Sequence, residues 1–201
     1  MAELADKMSE STFSIVTEKA LSLAVVRAMG ETVRSAASGG FELARSPGRH
    51  ALPAASRSHF GPADETRIAE SFQIEHHCLL YAVPLEPCPD QWPVYSMPAT
   101  AEGLQGFQRA CAHFNYALCT PDALSLVLCS TDDFLVYAGT RTFVERCVGA
   151  DEASAFNAFF EYAADPSWVN QKLSRNLKSV YSTLAEEYPN SPYGSFVKFP
   201  K

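Results

Sequence analysis

The stretch that most constrains the fold runs from Ala123 to Val148, with the sequence ALSLVLCSTDDFLVYAGTRTFVERCV. Leucines alternate with other residues before Ser130–Asp133, and an apolar run follows, which predicts two antiparallel strands joined by a tight turn. A short amphipathic segment comes next and ends at Gly149, as is typical of a helix with a glycine stop. This stretch predicts a fold, but it contains no recognisable catalytic motif.

A similar order of elements precedes this stretch. Residues 67–84 alternate well enough to predict a strand, and a second short strand is predicted at 92–97. Thr100 is a favourable N-cap for the helix that follows. The apolar side chains of that helix are Leu104, Phe107, Cys111 and Phe114. We therefore predict an α+β fold in a ββαββα-like order, with a mainly antiparallel sheet of about four strands and helices packed on one face.

The regions on either side of this core differ in character. Apolar residues near helical spacing predict an N-terminal helix at 10–37, and further helical patterns begin at Asp151 and Asp165. Residues 38–66 are rich in Gly, Pro, Ser and Ala without periodicity, which is typical of a loop or linker. The predicted organisation is an N-terminal helix at 1–37, a loop at 38–66, a core domain at 67–188 and a tail at 189–201.

Composition narrows the class of protein. The chain has 201 residues, of which 47% are hydrophobic, and a formal net charge of −7. Such an acidic chain disfavours nucleic acid and anionic membranes as partners. The beginning of the chain lacks the pattern of a secretion signal, and no apolar run is long enough to span a bilayer. Six cysteines without a CxxC pair indicate reduced thiols, so we expect a cytoplasmic protein, and the sequence indicates no cofactor.

The densest group of potential metal ligands is His76-His77-Cys78. On a strand, the side chains of His76 and Cys78 would point the same way, and Cys88 and His113 would complete a tetrahedral zinc site. Only one pair is close in sequence, however, and its face is otherwise apolar. A hydrogen-bonded histidine beside buried thiols is therefore the simpler interpretation, and His76, Cys78 and His113 remain candidates for a metal or ligand site.

Three further groups are candidates for chemistry. Cys119 precedes Thr120-Pro121 in a predicted loop, where an exposed thiol would be available as a nucleophile. Glu75 and His77 would share the less apolar face of the predicted strand as an acid/base pair. Asp132-Asp133 would offer two carboxylates to a divalent cation. In each case packing, a surface hydrogen bond or turn formation is the favoured interpretation.

The sequence is compatible with more than one class of function. Arg45, Arg49 and Arg57 form a local basic patch that would dock an acidic partner, although a solvated loop is the simpler interpretation. No nucleotide-binding, zinc-protease or hydrolase motif is present. The leading hypothesis is a non-catalytic protein-protein interaction module, such as an adaptor, an inhibitor or immunity-type protein, or an assembly factor. The alternatives are a small enzyme or ligand- or metal-binding domain that uses the region His76–Cys78, and a subunit of a larger complex docked by its N-terminal helix.

Overall fold

The fold is taken from a computed structural model that describes residues 12–35, 41–44, 48–56, 60–85, 93–111, 114–168 and 171–187. The helices in this part of the chain are α1 (Lys19–Thr32), α2 (Pro62–Ile74), α3 (Ala101–Cys111), α4 (Arg141–Val148), α5 (Glu152–Ala164) and α6 (Gln171–Glu187). The strands are β1 (Ser14–Ile15), β2 (Val33–Ser35), β3 (Phe41–Leu43), β4 (His50–Ala55), β5 (Leu79–Pro84), β6 (Tyr95–Pro98), β7 (Tyr116–Cys119), β8 (Leu126–Cys129) and β9 (Phe134–Gly139).

Seven of these strands form one sheet in the order β1-β6-β5-β7-β8-β9-β4, and every neighbouring pair is antiparallel. The strands β2 and β3 form a separate antiparallel pair. The α+β class and the antiparallel sheet are therefore confirmed. The predicted number of about four strands is too small, because β1, β4 and β7 lie in segments that the sequence did not mark as strands.

The centre of the sheet is covered on both faces. All four residues of β7 and all four of β8 are buried, and successive residues of a strand point to opposite faces. Phe107 of α3 packs edge-on against Tyr116 with ring centroids 5.1 Å apart, which places α3 on the face of Tyr116. The α3 helix therefore covers the face of Tyr116, and the uninterrupted apolar runs of β7 and β8 have the composition of strands buried on both faces.

The stretch from Ala123 to Val148 folds as its pattern predicts. It forms β8, a hairpin turn, β9 and α4 in that order. The Thr140 hydroxyl accepts a hydrogen bond from the Phe143 amide at 3.1 Å, which caps the start of α4. Gly149 ends the helix with φ of 76°, a left-handed conformation that glycine adopts without strain. Local signals were sufficient here because each element has its own start and stop residue.

The predicted strand at 67–84 is wrong from 67 to 78. Residues Pro62–Ile74 form α2, and β5 begins only at Leu79. The Gly61 amide donates to Asp64 Oδ2 at 2.9 Å. Pro62 occupies the first turn of the helix, where backbone amides have no acceptor within the helix, so the lack of an amide hydrogen in proline costs no hydrogen bond. The alternation of residues 67–84 favoured a strand, and the helix start at Gly61 and Pro62 was not recognised. The buried side chains Ile68, Ala69 and Phe72 also fit one face of a helix.

The predicted loop at 38–66 contains regular structure. It includes β3, β4 and the first turn of α2. The six residues of β4 pair in register with β9, from His50 opposite Gly139 to Ala55 opposite Phe134. Pro53 argued against a strand in the sequence, but β4 is an edge strand of the sheet, where proline is tolerated. The prediction of an unstructured segment is therefore wrong for 41–43, 50–55 and 62–66.

The remaining segments follow the predictions in part. The N-terminal helix is shorter than 10–37, because α1 ends at Thr32 and β2 follows directly. Asp151 caps α5 as predicted, with its Oδ1 atom accepting from the Ser154 amide at 2.8 Å. Asp165 instead forms a turn, with Oδ1 accepting from the Ser167 amide at 2.8 Å, and α6 begins at Gln171. The predicted tail at 189–201 lies outside the described residues. None of the helices in the described part of the chain has the length and apolar character that a membrane span requires.

Candidate functional site

The antiparallel sheet brings several predicted site residues to one of its ends. The strands β4, β5 and β8 begin at this end, while β6, β7 and β9 finish there. The last residue of α2, Ile74, leads into the turn that precedes β5. We call this region the α2–β5 end. It consists of residues 74–79, 98–100 and 120–125, together with Arg49 and Thr140.

Three large aliphatic side chains are more than half exposed at the α2–β5 end. Ile74 is 52% exposed, Leu79 is 51% exposed and Leu124 is 60% exposed. Glu75 and Ser125 are hydrogen-bonded to each other, so Ile74 and Leu124 each adjoin one member of a bonded pair. The β5–β7 register, with Tyr81 opposite Cys119, brings the start of β5 beside the loop after β7. We call these three side chains the apolar patch.

The Glu75 carboxylate joins three elements beneath the apolar patch. Its Oε2 atom accepts a hydrogen bond from the Ser125 hydroxyl at 2.5 Å, and its Oε1 atom accepts from the Thr140 hydroxyl at 3.0 Å. Ser125 is buried and Glu75 is half-buried. Because Thr140 also caps α4, one carboxylate connects the residue after α2, the residue before β8 and the start of α4. This arrangement fixes the loop that carries Leu124.

The loop from Thr120 to Leu124 is organised by Asp122. Its Oδ1 atom accepts from the Thr120 hydroxyl at 2.6 Å and from the Leu124 amide at 3.1 Å. Partial burial raises the pKa of Asp122, but these hydrogen bonds and the nearby His77 lower it by more, so the pKa lies below its ordinary value. Asp122 is therefore ionised at neutral pH and lies exposed beside Leu124.

Backbone strain is concentrated in the same region. Three non-glycine residues in the described part of the chain have positive φ, and two of them, His76 at 64° and Ala123 at 52°, belong to the α2–β5 end. A left-handed conformation costs a non-glycine residue about 1 kcal/mol. The Ala123 carbonyl accepts from Arg49 Nη2 at 3.3 Å, and the Ala123 amide donates to the Thr120 carbonyl at 3.0 Å. The surrounding bonds therefore hold a conformation that the local sequence disfavours.

The predicted ligand set is not assembled in the described residues. His76 lies in the turn before β5 and not on a strand, and the side chains of His76 and Cys78 are both exposed. Cys88 and His113 lie outside the described residues. Within the described ranges, no group of three or more His, Cys, Asp or Glu side chains is arranged to hold a metal ion. A shared face for His76 and Cys78 required an uninterrupted strand, which the structure does not have.

The other candidates for chemistry have structural explanations. Cys119 lies fully buried in β7, and burial raises the pKa of its thiol far above the ordinary value, so it is not an available nucleophile. The Glu75 carboxylate accepts from Ser125 and Thr140, whereas His77 lies near Asp122, so the two do not form a pair. Asp132 and Asp133 form the β8–β9 turn at the other end of the sheet, where Asp132 Oδ2 accepts from Asn176 Nδ2 at 3.1 Å.

The three arginines of the predicted basic patch have different outcomes. Arg45 and Arg57 lie outside the described residues. Arg49 lies at the α2–β5 end, where its Nη1 and Nη2 atoms donate to the carbonyls of Ala44 and Ala123 at 3.5 and 3.3 Å. The structure therefore gives Arg49 a role in positioning the loop before Leu124. Its predicted contact with an acidic partner stays a prediction.

Several residues of this end were not singled out from the sequence. They are Asp122, Ala123, Leu124, Ser125 and Thr140. The sequence Thr120-Pro121-Asp122 is a turn signal, since threonine and aspartate side chains bond to nearby backbone amides. That signal predicts a turn but not its neighbours. The bonds from Glu75 to Ser125 and Thr140 span 50 and 65 residues, and such pairings depend on the strand order.

Comparison of the chain with protein-family models, with curated proteins and with solved structures gives no match. The chemistry of the α2–β5 end therefore has to be inferred from its own geometry. That geometry combines exposed apolar side chains, a hydrogen-bonded loop that carries one of them, and an ionised carboxylate beside it.

Proposed function

We propose that this protein is a non-catalytic protein-binding module and that its α2–β5 end docks a protein partner. The observation that carries the proposal is the apolar patch of Ile74, Leu79 and Leu124, each more than half exposed at one end of the sheet. Burying a fully exposed side chain of this size contributes about 1.5–3 kcal/mol, and each of these three is about half exposed, so a partner that covers them gains about half of that amount from each. Large aliphatic side chains that stay exposed at one end of a fold are candidates for a protein interaction site.

The hydrogen bonds of the Leu124 loop support the same proposal. Asp122 bonds to Thr120 and to the Leu124 amide, and Arg49 bonds to the Ala123 carbonyl. These contacts order the backbone on both sides of a side chain that itself remains exposed. Because ordering flexible groups opposes binding, a loop that is already ordered loses less conformational entropy when a partner docks.

The state of the candidate catalytic groups also supports a non-catalytic role. The Cys119 thiol is buried, and both carboxylate oxygens of Glu75 are bonded to hydroxyl groups. The Ser125 hydroxyl is buried and donates to Glu75, an arrangement that stabilises the junction of α2 with β8. These groups have partners that account for their positions without a substrate.

A second docking surface is favoured by one observation on α1. Leu23 is 47% exposed and Val26 is 43% exposed, and they lie one turn apart on this helix. A subunit docked by its N-terminal helix would use this face. No hydrogen-bonded loop with a left-handed residue carries these two side chains, as one carries Leu124, because both lie on a regular helix. We therefore place the main docking surface at the α2–β5 end.

The two surfaces are distinguished by matched substitutions in the full-length, affinity-tagged protein. Leu124→Asp and Ile74→Asp test the α2–β5 end, and Leu23→Asp and Val26→Asp test α1. Proteins that co-purify from the native cell extract are identified and quantified by mass spectrometry, after circular dichroism has shown that each variant is folded. We expect a stoichiometric partner whose recovery falls at least about tenfold with the first pair and stays unchanged with the second. Loss with the α1 pair alone would overturn docking at the α2–β5 end.

A further inference from the structure

We infer that the segment docked at the α2–β5 end is a basic amphipathic one, with apolar side chains on one side and lysine or arginine beside them. This inference rests on the proposed function and adds the chemistry of the partner. The juxtaposition that carries it is an apolar patch with three exposed carboxylates at its margins. These carboxylates belong to Glu70, Glu102 and Asp122.

Glu70 extends the surface along α2. It is exposed and precedes Ile74 by four residues, which places both side chains on the same face of the helix. Its carboxylate therefore lies about one helical turn from the Ile74 side chain. A cation on the partner would meet Glu70 while an adjoining apolar side chain covers Ile74.

Glu102 lies on the β6 side of the same end. Leu79 pairs with Pro98, and the chain then turns into α3, where the Gly103 amide donates to the Thr100 hydroxyl at 3.1 Å. Gln73 Nε2 donates to the Ala99 carbonyl at 2.6 Å, which ties the last turn of α2 to the start of α3. Glu102 is exposed in the first turn of α3, close to this tie.

Asp122 supplies the third carboxylate. It is exposed two residues before Leu124, and its hydrogen bonds to Thr120 and the Leu124 amide fix its position. Both of these bonds are accepted by Oδ1. A partner cation would therefore bind this carboxylate through Oδ2. A partner cation at this position would lie beside the side chain that covers Leu124.

Arg49 and Arg141, the described arginines at this end, bond to acceptors other than the three carboxylates, and His77 lies near Asp122. Arg49 is half-buried and donates to two backbone carbonyls, and Arg141 donates to Glu145 at 2.9 Å. The whole chain has a formal net charge of −7, so its long-range field also attracts cations. Complementary charge speeds association and disfavours acidic competitors. The occupant of this surface is thus opposite in charge to the acidic partner predicted for the arginines of residues 38–66.

The test uses three synthetic helical peptides as probes, with binding to the full-length protein measured by fluorescence anisotropy. The first has a leucine stripe flanked by lysines, and the second has the same stripe flanked by glutamates. The third has the composition of the first with its leucines scattered around the helix. We expect the first peptide to bind at least about tenfold more tightly than either of the others, and more weakly as ionic strength rises.

Variants of the protein locate the effect. The combined substitution of Glu70→Gln, Glu102→Gln and Asp122→Asn should weaken binding of the lysine peptide about tenfold, and Leu124→Ser should weaken it as well. Glu161→Gln is the matched control, because Glu161 is an exposed carboxylate on α5, next to the Tyr162 that bonds to the other end of the sheet. It should leave binding unchanged.

Each other outcome overturns the inference in an identifiable way. Equal binding of the lysine and scattered peptides would indicate non-specific attraction to an acidic protein. Equal binding of the lysine and glutamate peptides would indicate apolar docking without charge selection, and the proposed function would then stand without this partner chemistry. Absence of binding by all three peptides would overturn the inference, whereas the native-extract experiment with Leu124→Asp decides the proposed function separately.

Discussion

The two ends of the main sheet close in different ways. At the end opposite the α2–β5 end, the β8–β9 turn is held by polar contacts from four parts of the chain. The Asp133 carbonyl accepts from the Ser56 amide at 3.0 Å and from the Tyr162 hydroxyl at 3.2 Å. The Thr131 amide donates to Asn115 Oδ1 at 2.8 Å, and Asn176 donates to Asp132. We call this region, residues 130–134 with these partners, the hairpin end.

The difference between the ends concerns exposed apolar surface. Three of the large aliphatic side chains that are exposed in the described residues belong to the α2–β5 end and none belongs to residues 130–134 or their partners, although Ile15, opposite Tyr95 at the start of β6, is also exposed. Both ends have a left-handed non-glycine residue, Ala123 at one and Asp133 at the other. Sheet ends and strained turns therefore do not by themselves require an exposed apolar patch. Its presence at one end is the feature that docking explains.

Thiol reactivity gives the largest expected contrast between the ends. Cys78 is exposed at the α2–β5 end, whereas Cys129 is buried beside the hairpin end and burial raises the pKa of its thiol far above the ordinary value. In a Cys88→Ser background, we expect Cys78 to react with a thiol reagent on the order of 1000-fold faster than Cys129. Rates are measured by mass spectrometry of peptides after timed labelling. Comparable rates at the two cysteines would remove this contrast.

Removal of the Glu75 carboxylate should have the next largest effect. Glu75→Ala removes two hydrogen bonds and leaves the buried Ser125 hydroxyl without its acceptor, so we expect the free energy of unfolding to fall by about 2 kcal/mol. Asp132→Ala at the hairpin end is the matched control, because it removes one exposed bond and should change stability by less than about 0.5 kcal/mol. Urea denaturation measures both. Equal losses in the free energy of unfolding would mean that the Glu75 and Asp132 side chains contribute equally to stability.

The prediction of the fold from sequence succeeded where signals are local. Thr140 caps the start of α4, Gly149 ends it, and Asp151 caps the start of α5, so each of these helices could be assigned from its own residues. It failed where tertiary context decides. The β4 strand contains Pro53 and three alanines and is a strand because β9 lies beside it. The α2 helix was missed because a buried helix face and an alternating strand share several positions over so short a segment.

The candidate site could be predicted only in part for the same reason. The turn His76–Cys78 and Arg49 were noticed from residue type, and the structure places them at one end of the sheet. Leu124 could not be noticed, because a leucine in an apolar run is more often buried than exposed. Leu124 follows Ala123, whose left-handed conformation and bond to the distant Arg49 are also not marked in the sequence.

A pair of glycine substitutions compares the strained residues of the two ends. Ala123→Gly and Asp133→Gly each place glycine at a left-handed position, so we expect each to increase the free energy of unfolding by up to about 1 kcal/mol. Their effects on docking should differ. Ala123→Gly loosens the backbone before Leu124 and should weaken partner binding severalfold, whereas Asp133→Gly should leave it unchanged. Equal effects on binding would contradict a role for the Leu124 loop.

The pH dependence of Asp122 is the smallest expected effect. The pKa of Asp122 is lower in the folded protein than its ordinary value of 3.8, so its charged form stabilises the fold above that value. As the pH falls from 3.8 to the folded pKa, Asp122 is protonated first in the unfolded state, so the stabilisation decreases. Below the folded pKa the carboxylate is protonated in both states, and the contribution of its charged form is lost. We expect wild type to exceed Asp122→Asn in stability at neutral pH and the difference to shrink below pH 3.8. A difference that grows on acidification would contradict the assigned bonds.

The most direct test of docking is photo-cross-linking from single positions of the full-length protein in its native cells. A photoreactive amino acid replaces Leu124 in one variant and Asp132 in another, so that each end of the sheet is sampled by one exposed site. If the α2–β5 end docks a protein, position 124 gives one discrete protein adduct, identified by mass spectrometry and abolished by Ile74→Asp, and position 132 gives no such adduct. Equal adducts from both positions, or an adduct at 124 that survives Ile74→Asp, would contradict it.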